Sequence, residues 1–90
     1  MMGTYLMFGK YEADSVELIG DKDTEKAKEL IQENGGSLKD GYAVFGENDL
    51  LLLVDFPNDS AAVRTSVELS NHLGVSFSTS PALNFKEIDR

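Results

Sequence analysis

Ninety residues of 9.9 kDa amount to one domain, and a chain this short buries only about two thirds of its unfolded surface, so a second copy is a natural source of extra core. Sixteen acidic against eight basic residues leave a net charge of −8, and the basic residues are scattered singly, which excludes nucleic acid and membrane surfaces as partners because both require clustered Lys and Arg. The absence of cysteine excludes a disulfide framework, a thiolate metal site and a cysteine nucleophile, and suits a cytoplasmic location.

The longest apolar run holds five residues, 50–54, far short of the roughly 20 that span a bilayer. The first residues carry no basic region of the kind that opens a secretion signal.

In chain order, residues 4–11 (Thr-Tyr-Leu-Met-Phe-Gly-Lys-Tyr) lack clean alternation between Tyr5 and Phe8. A strand covered on both faces reads as a continuous apolar run, so a central strand is expected here, with Gly9 marking a bulge or a close approach. Residues 14–19 are expected to make a short helical turn, with Asp14 as cap and Glu17 reaching back to it, closed by Gly20.

A longer helix begins at Asp21 or Asp23 and ends at Gly35-Gly36. Thr24, Ala27, Leu30, Ile31 and Asn34 share its inner stripe, and Glu25, Lys28, Glu29, Gln32 and Glu33 face solvent. Residues 37–45 suit an outer strand, with Leu38, Tyr42 and Val44 on one side and Lys39, Gly41, Ala43 and Phe45 on the other. The turn Gly46-Glu47-Asn48-Asp49 leads into the apolar run Leu50 to Val54, read as the second central strand, which stops at Asp55-Phe56-Pro57.

Asn58 or Asp59 caps a second helix running to Leu73 and stopped by Gly74. Its expected inner stripe is Ala62, Val63, Ser66, Val67, Leu69, Ser70 and Leu73, in which small residues dominate. The last strand, residues 75–80, alternates Val75, Phe77 and Thr79 against three serines, and Pro81 suits an edge. The polar segment 84–90 offers Phe85 and Ile88 as anchors.

The order strand, helix, strand, strand, helix, strand predicts an α+β, ferredoxin-like βαββαβ arrangement: a four-stranded antiparallel sheet, both helices on one face, the first and third strands central. The two runs that lack alternation are the first and third, in agreement. Two central strands apolar on both sides leave a hydrophobic sheet face uncovered. The expected partner is an identical chain on a two-fold axis, giving a homodimer or higher homo-oligomer; the segment after Pro81 is too short and polar to cover that face by itself.

Together these stretches resemble the GYD-domain proteins across nearly the whole of residues 1–90: the opening strand to Tyr11, the helix end at Gly35-Gly36, the turn 46–49 with its apolar strand and Asp55-Phe56-Pro57, and the ending Gly74-Val75-Ser76-Phe77 with Thr79 and Pro81-Ala82. Gly46 and Asp49 match the family's pattern of Gly, a variable residue, usually an aromatic, then Asp, and Asn48 stands at the aromatic position. The resemblance implies a ferredoxin-like subunit that pairs into a dimeric α+β barrel, in a largely uncharacterised family. By fold analogy, similar barrels include cofactor-independent monooxygenases, haem-degrading enzymes and amino-acid-sensing regulatory domains.

No P-loop, dinucleotide-binding glycine motif or His-Glu-x-x-His stretch is present, and no cofactor or metal is expected. Glu47 and Asp49 read as turn formers before they read as an acid/base pair, and Asp55 as a strand end capping toward Asn58 before a base. His72, the single histidine, lies on the flank of the second helix. Tyr5, Met7, Tyr42, His72 and Thr79 are candidates to line a pocket for a small apolar or aromatic ligand, and His72, Asp49 and Tyr42 are the candidates for proton transfer. Two functions follow: a homo-oligomeric small-molecule-binding, regulatory or assembly module, favoured because the titratable candidates are sparse and unpaired, or a cofactor-independent enzyme acting on a similar ligand.

Overall fold

The computed structural model describes residues 2–11 and 21–88, and the turn expected over 14–19 lies outside the described residues. Its elements are β1 (Gly3–Tyr11), α1 (Asp21–Glu33), β2 (Ser37–Ala43), β3 (Leu50–Phe56), α2 (Asp59–Leu73), β4 (Val75–Ala82) and a single turn, α3 (Phe85–Ile88). The four strands form one sheet in the order β2-β3-β1-β4, every neighbouring pair antiparallel. The ferredoxin-like order expected from the sequence is therefore present, with β1 and β3 central.

The register assigns each strand residue to a face. Tyr5 pairs with Val54 and Pro81, Met7 with Leu52 and Thr79, Gly9 with Leu50 and Phe77, so these share the side on which the helices lie. Tyr5, Met7, Val54 and Phe56 are buried there against Ala27, Leu30 and Ile31 of α1 and Ala61, Ala62 and Leu69 of α2. The rings of Tyr5 and Phe56 meet edge to face at 5.6 Å, a geometry that sets the positive edge of one ring against the negative face of the other.

Both helices end as their sequence signals dictate. At the end of α1, Gly35 adopts φ +80°, the Gly35 N–H donates to the Gln32 carbonyl and the Gly36 N–H to the Ile31 carbonyl; this is the Schellman pattern, which only glycine enters without strain. Helix α2 is capped by Asn58, whose side chain accepts the Ala61 N–H at 2.8 Å, and closed by Gly74 at φ 66°. Asn34 joins the helices, donating to the Leu30 carbonyl and to Glu68 Oε1 at 2.7 Å.

Two expected faces are corrected. In α2, Val63 and Val67 are exposed, and the buried stripe runs through Ala61, Ala62, Thr65 and Leu69 instead. Thr65 can be buried because its hydroxyl donates to the Ala61 carbonyl at 2.8 Å, leaving no polar group unpaired. In β2, a register shift between Leu38 and Asp40 turns Leu38 toward the core and places Tyr42 on the opposite side with Asp40; one extra residue inverts the parity of everything after it.

Two tests follow. A Cβ on Gly36 would stand 2.7 Å from the Phe56 ring, so Gly36→Ala is expected to cost about 2 kcal/mol in urea unfolding, as overpacking of a tight core does. Tyr5 donates its hydroxyl to Asp59 Oδ1, and this hydrogen bond, then burial, then the nearby carboxylate charge raise its pKa above 10.0. A raised value means the folded state holds the proton longer; the stabilisation is complete below pH 10 and is lost as pH climbs from there through the folded pKa. Tyr5→Phe is expected to abolish that part of the alkaline loss of stability, read from melting temperatures across pH 9 to 11.

Candidate functional site

The five residues expected to line a pocket are divided by the sheet. Tyr5 and Met7 are buried among the core side chains, and the Tyr5 hydroxyl is engaged by Asp59. Thr79 lies on the same side and shares a 2.5 Å hydrogen bond with Ser66, whose own proton goes to the Ala62 carbonyl, so Thr79 acts as donor and ties β4 to α2. His72 is exposed on α2. Tyr42 is half exposed on the other side of the sheet, separated from Tyr5, Met7 and Thr79 by its thickness.

Asp49 has a local role that its position in the turn only hinted at. Its carboxylate accepts the Tyr11 N–H at 2.9 Å, its own N–H donates to the Gly9 carbonyl at 2.8 Å, and its carbonyl accepts the Val44 N–H at 3.0 Å. One residue thus pins the end of β1 to the hairpin between β2 and β3. Gly46, in the same turn, adopts φ +113°, which explains glycine there without any chemistry. The Phe45 ring beside it is fully exposed.

The side of the sheet turned away from the helices is the more open candidate. By register it presents Leu6, Phe8, Leu51 and Leu53 at its centre, Tyr42 toward β2, and Ser76, Ser78 and Ser80 along β4. The four central residues are only partly buried.

At the end of this face where β4 leaves the sheet, Thr4, Leu53, Ala82, Leu83, Asn84 and Glu87 line an open groove of about 310 Å³, within the range of small-molecule sites. Beside it, Thr4 donates its hydroxyl to Asp55 Oδ1 at 2.8 Å, and Lys39 lies 3.5 Å from Asp55 Oδ2. Asp55 therefore does not cap toward Asn58, since its carboxylate is turned to the open face. The groove has an apolar floor at Leu53, Ala82 and Leu83, with Thr4, Asn84 and Glu87 as its polar lining and the Asp55–Lys39 pair beside it.

Lys39 and Thr4 escaped the sequence reading. Lys39 reaches Asp55 across the β2–β3 pairing, and the Thr4–Asp55 pair depends on register across 51 residues; the alternation of polar Thr4 with apolar Tyr5 was the one available signal. Among the described residues, no group of three or more His, Asp or Glu side chains converges as a metal site, and no helix is long and apolar enough to cross a membrane.

Comparison with known proteins agrees with this geometry. A family model described as GYD domain matches residues 5–90, the family that the sequence resembles, and no curated protein matches. Among solved structures, the leucine response regulatory protein of Mycobacterium tuberculosis superposes with a TM-score of 0.67 at 19% identity, covering 98% of this chain and 55% of that one. A feast or famine regulatory protein of the same organism, complexed with L-methionine, gives 0.66 and 19%, covering 98% and 54%. The chain spans about half the length of these proteins, and identity this low speaks for the shared fold alone.

If Asp49 is a structural clamp, Asp49→Ala should lower unfolding stability by about 1–2 kcal/mol through the orphaned Tyr11 N–H, measured by urea titration. His72→Ala, at an exposed position, should stay within about 0.5 kcal/mol of the parent in the same titration.

Proposed function

This chain belongs to the GYD domain family, and from that premise we propose that it is a small self-associating module that binds a small molecule and acts in regulation or assembly. The observation that carries the reading is the apolar strip Leu6, Phe8, Leu51 and Leu53, which the chain's own helices leave uncovered. A contiguous apolar patch on a sheet face marks a surface meant for a partner, and an isologous pair of identical faces is the simplest arrangement that covers two such strips at once.

The titratable groups on this face support pairing with a second copy. Lys10 and Lys39 offset two of the three carboxylates there, Asp40, Asp55 and Glu87, whereas the chain as a whole carries −8, so two copies repel less at this face than the net charge implies. In this reading the ligand lies in the groove beside Thr4, Asp55 and Lys39, its apolar body on Leu53 and its polar group at the rim. One structural neighbour is complexed with L-methionine, also a small amphipathic molecule.

Binding is favoured over turnover because the three proton-transfer candidates lie apart. Asp49 is occupied by backbone donors, while His72 and Tyr42 stand on opposite sides of the sheet.

Sedimentation equilibrium at micromolar concentration is expected to return at least twice 9.9 kDa, and a well-folded monomer would sink the proposal. Leu51→Glu, which sets a charge in the middle of the strip, is expected to give a folded monomer. For the ligand, native mass spectrometry of protein purified without denaturation should show a small bound species that Thr4→Val weakens by about tenfold, the value of one hydrogen bond to a charged group.

A further inference from the structure

The segment after β4 contains a preorganised apolar knob that its own chain does not use. The Asn84 N–H donates to Glu87 Oε1 at 2.9 Å and the Glu87 N–H donates to Asn84 Oδ1 at 2.8 Å. This reciprocal capping box satisfies the donors at the start of α3 and holds the turn in one conformation. Yet Phe85 is 87% exposed, and Leu83 and Ile88 are each more than half exposed. Asn84, Glu87 and Leu83 line the groove at the margin of the open face, while Phe85 and Ile88 do not; the turn stands beside that face with its largest apolar groups directed elsewhere.

We infer that α3 is a reciprocal clasp: Phe85 and Ile88 of one copy seat on the Leu6, Phe8 and Leu51 strip of a second copy, and the second copy's turn does the same in return. The inference rests on the self-association proposed above and names the element that holds it. Three observations favour a second copy as the occupant. An apolar knob and an uncovered apolar strip occur in the same chain, and a two-fold axis satisfies both at once.

The strip is bordered by charges of both signs, Lys10 and Lys39 with Asp40, Asp55 and, at the groove, Glu87, so a second copy meets both signs there rather than the twofold acidic surplus of the chain as a whole. Area is the third. A seated phenylalanine buries about 200 Å², and the symmetric pair would supply about 400 Å² of the roughly 1,600 Å² of a standard interface.

The experiment compares the dimer dissociation constant of the parent chain with that of the double variant Phe85→Ala/Ile88→Ala, by sedimentation across a concentration series. Both side chains are exposed, so far-UV circular dichroism of the variant should match the parent. Two aromatic anchors lost per dimer should raise the dissociation constant at least 100-fold. The control, Val63→Ala/Val67→Ala, removes apolar groups that are also more than half exposed from the outer side of α2 and should leave it unchanged. A dimeric parent whose constant does not move in the Phe85/Ile88 variant, or moves equally in the control, overturns the clasp and leaves self-association standing. A monomeric parent overturns both.

Discussion

Every other feature of this molecule depends on one asymmetry of covering: both helices pack on the same side of a sheet whose two central strands are apolar on both sides. On the covered side, Phe56, Met7 and Val54 are fully buried against Ile31 and Leu69. At about 25 cal/mol for each square ångström of apolar surface removed from water, that layer is the main term holding so small a chain together. The same strands present Leu6, Phe8, Leu51 and Leu53 to the other side, with no second layer among the described residues. The fold's packed core and its open apolar face thus come from the same two segments.

The polar chemistry is arranged around that asymmetry. On the helix side nearly every hydroxyl near the core is committed locally: Tyr5 to Asp59, Thr65 to Ala61, Ser66 to Ala62, Ser70 to Ser66. Small hydroxylic residues let α2 lie close to β4, and each carries its partner with it, so that side offers little to a ligand. On the open side Thr4 and Lys39 both contact Asp55, and Lys39 remains exposed at the margin of the groove.

The family-marking turn is instructive in the same terms. A carboxylate at Asp49, two residues from Glu47, invites an acid/base reading from sequence, but three hydrogen bonds through one residue place it in the service of topology. It locks the end of β1 against the hairpin, and so fixes which residues of β3 face the helices. Asn48 in place of an aromatic leaves that clamp intact, because its bonds run through the side chain and backbone of Asp49 alone.

What the sequence determined by itself is whatever depends on neighbours along the chain: the order of the four strands and two long helices, the helix ends at Gly35 and Gly74, a cap at Asn58 or Asp59, which the structure settles as Asn58, and the two central strands, recognisable because a strand apolar on both sides loses its alternation. From these the ferredoxin-like arrangement and an uncovered face could be read. What only the tertiary structure decided is whatever depends on register and phase. The irregularity in β2 carried Tyr42 away from Tyr5, Met7 and Thr79, a shift of one residue being enough to exchange the faces. Helix α2 turned Ala61 and Thr65 inward and Val63 and Val67 outward, because close contact with the sheet rewards small side chains above large ones. The Thr4–Asp55–Lys39 cluster joins residues up to 51 positions apart, and no local pattern records such a meeting.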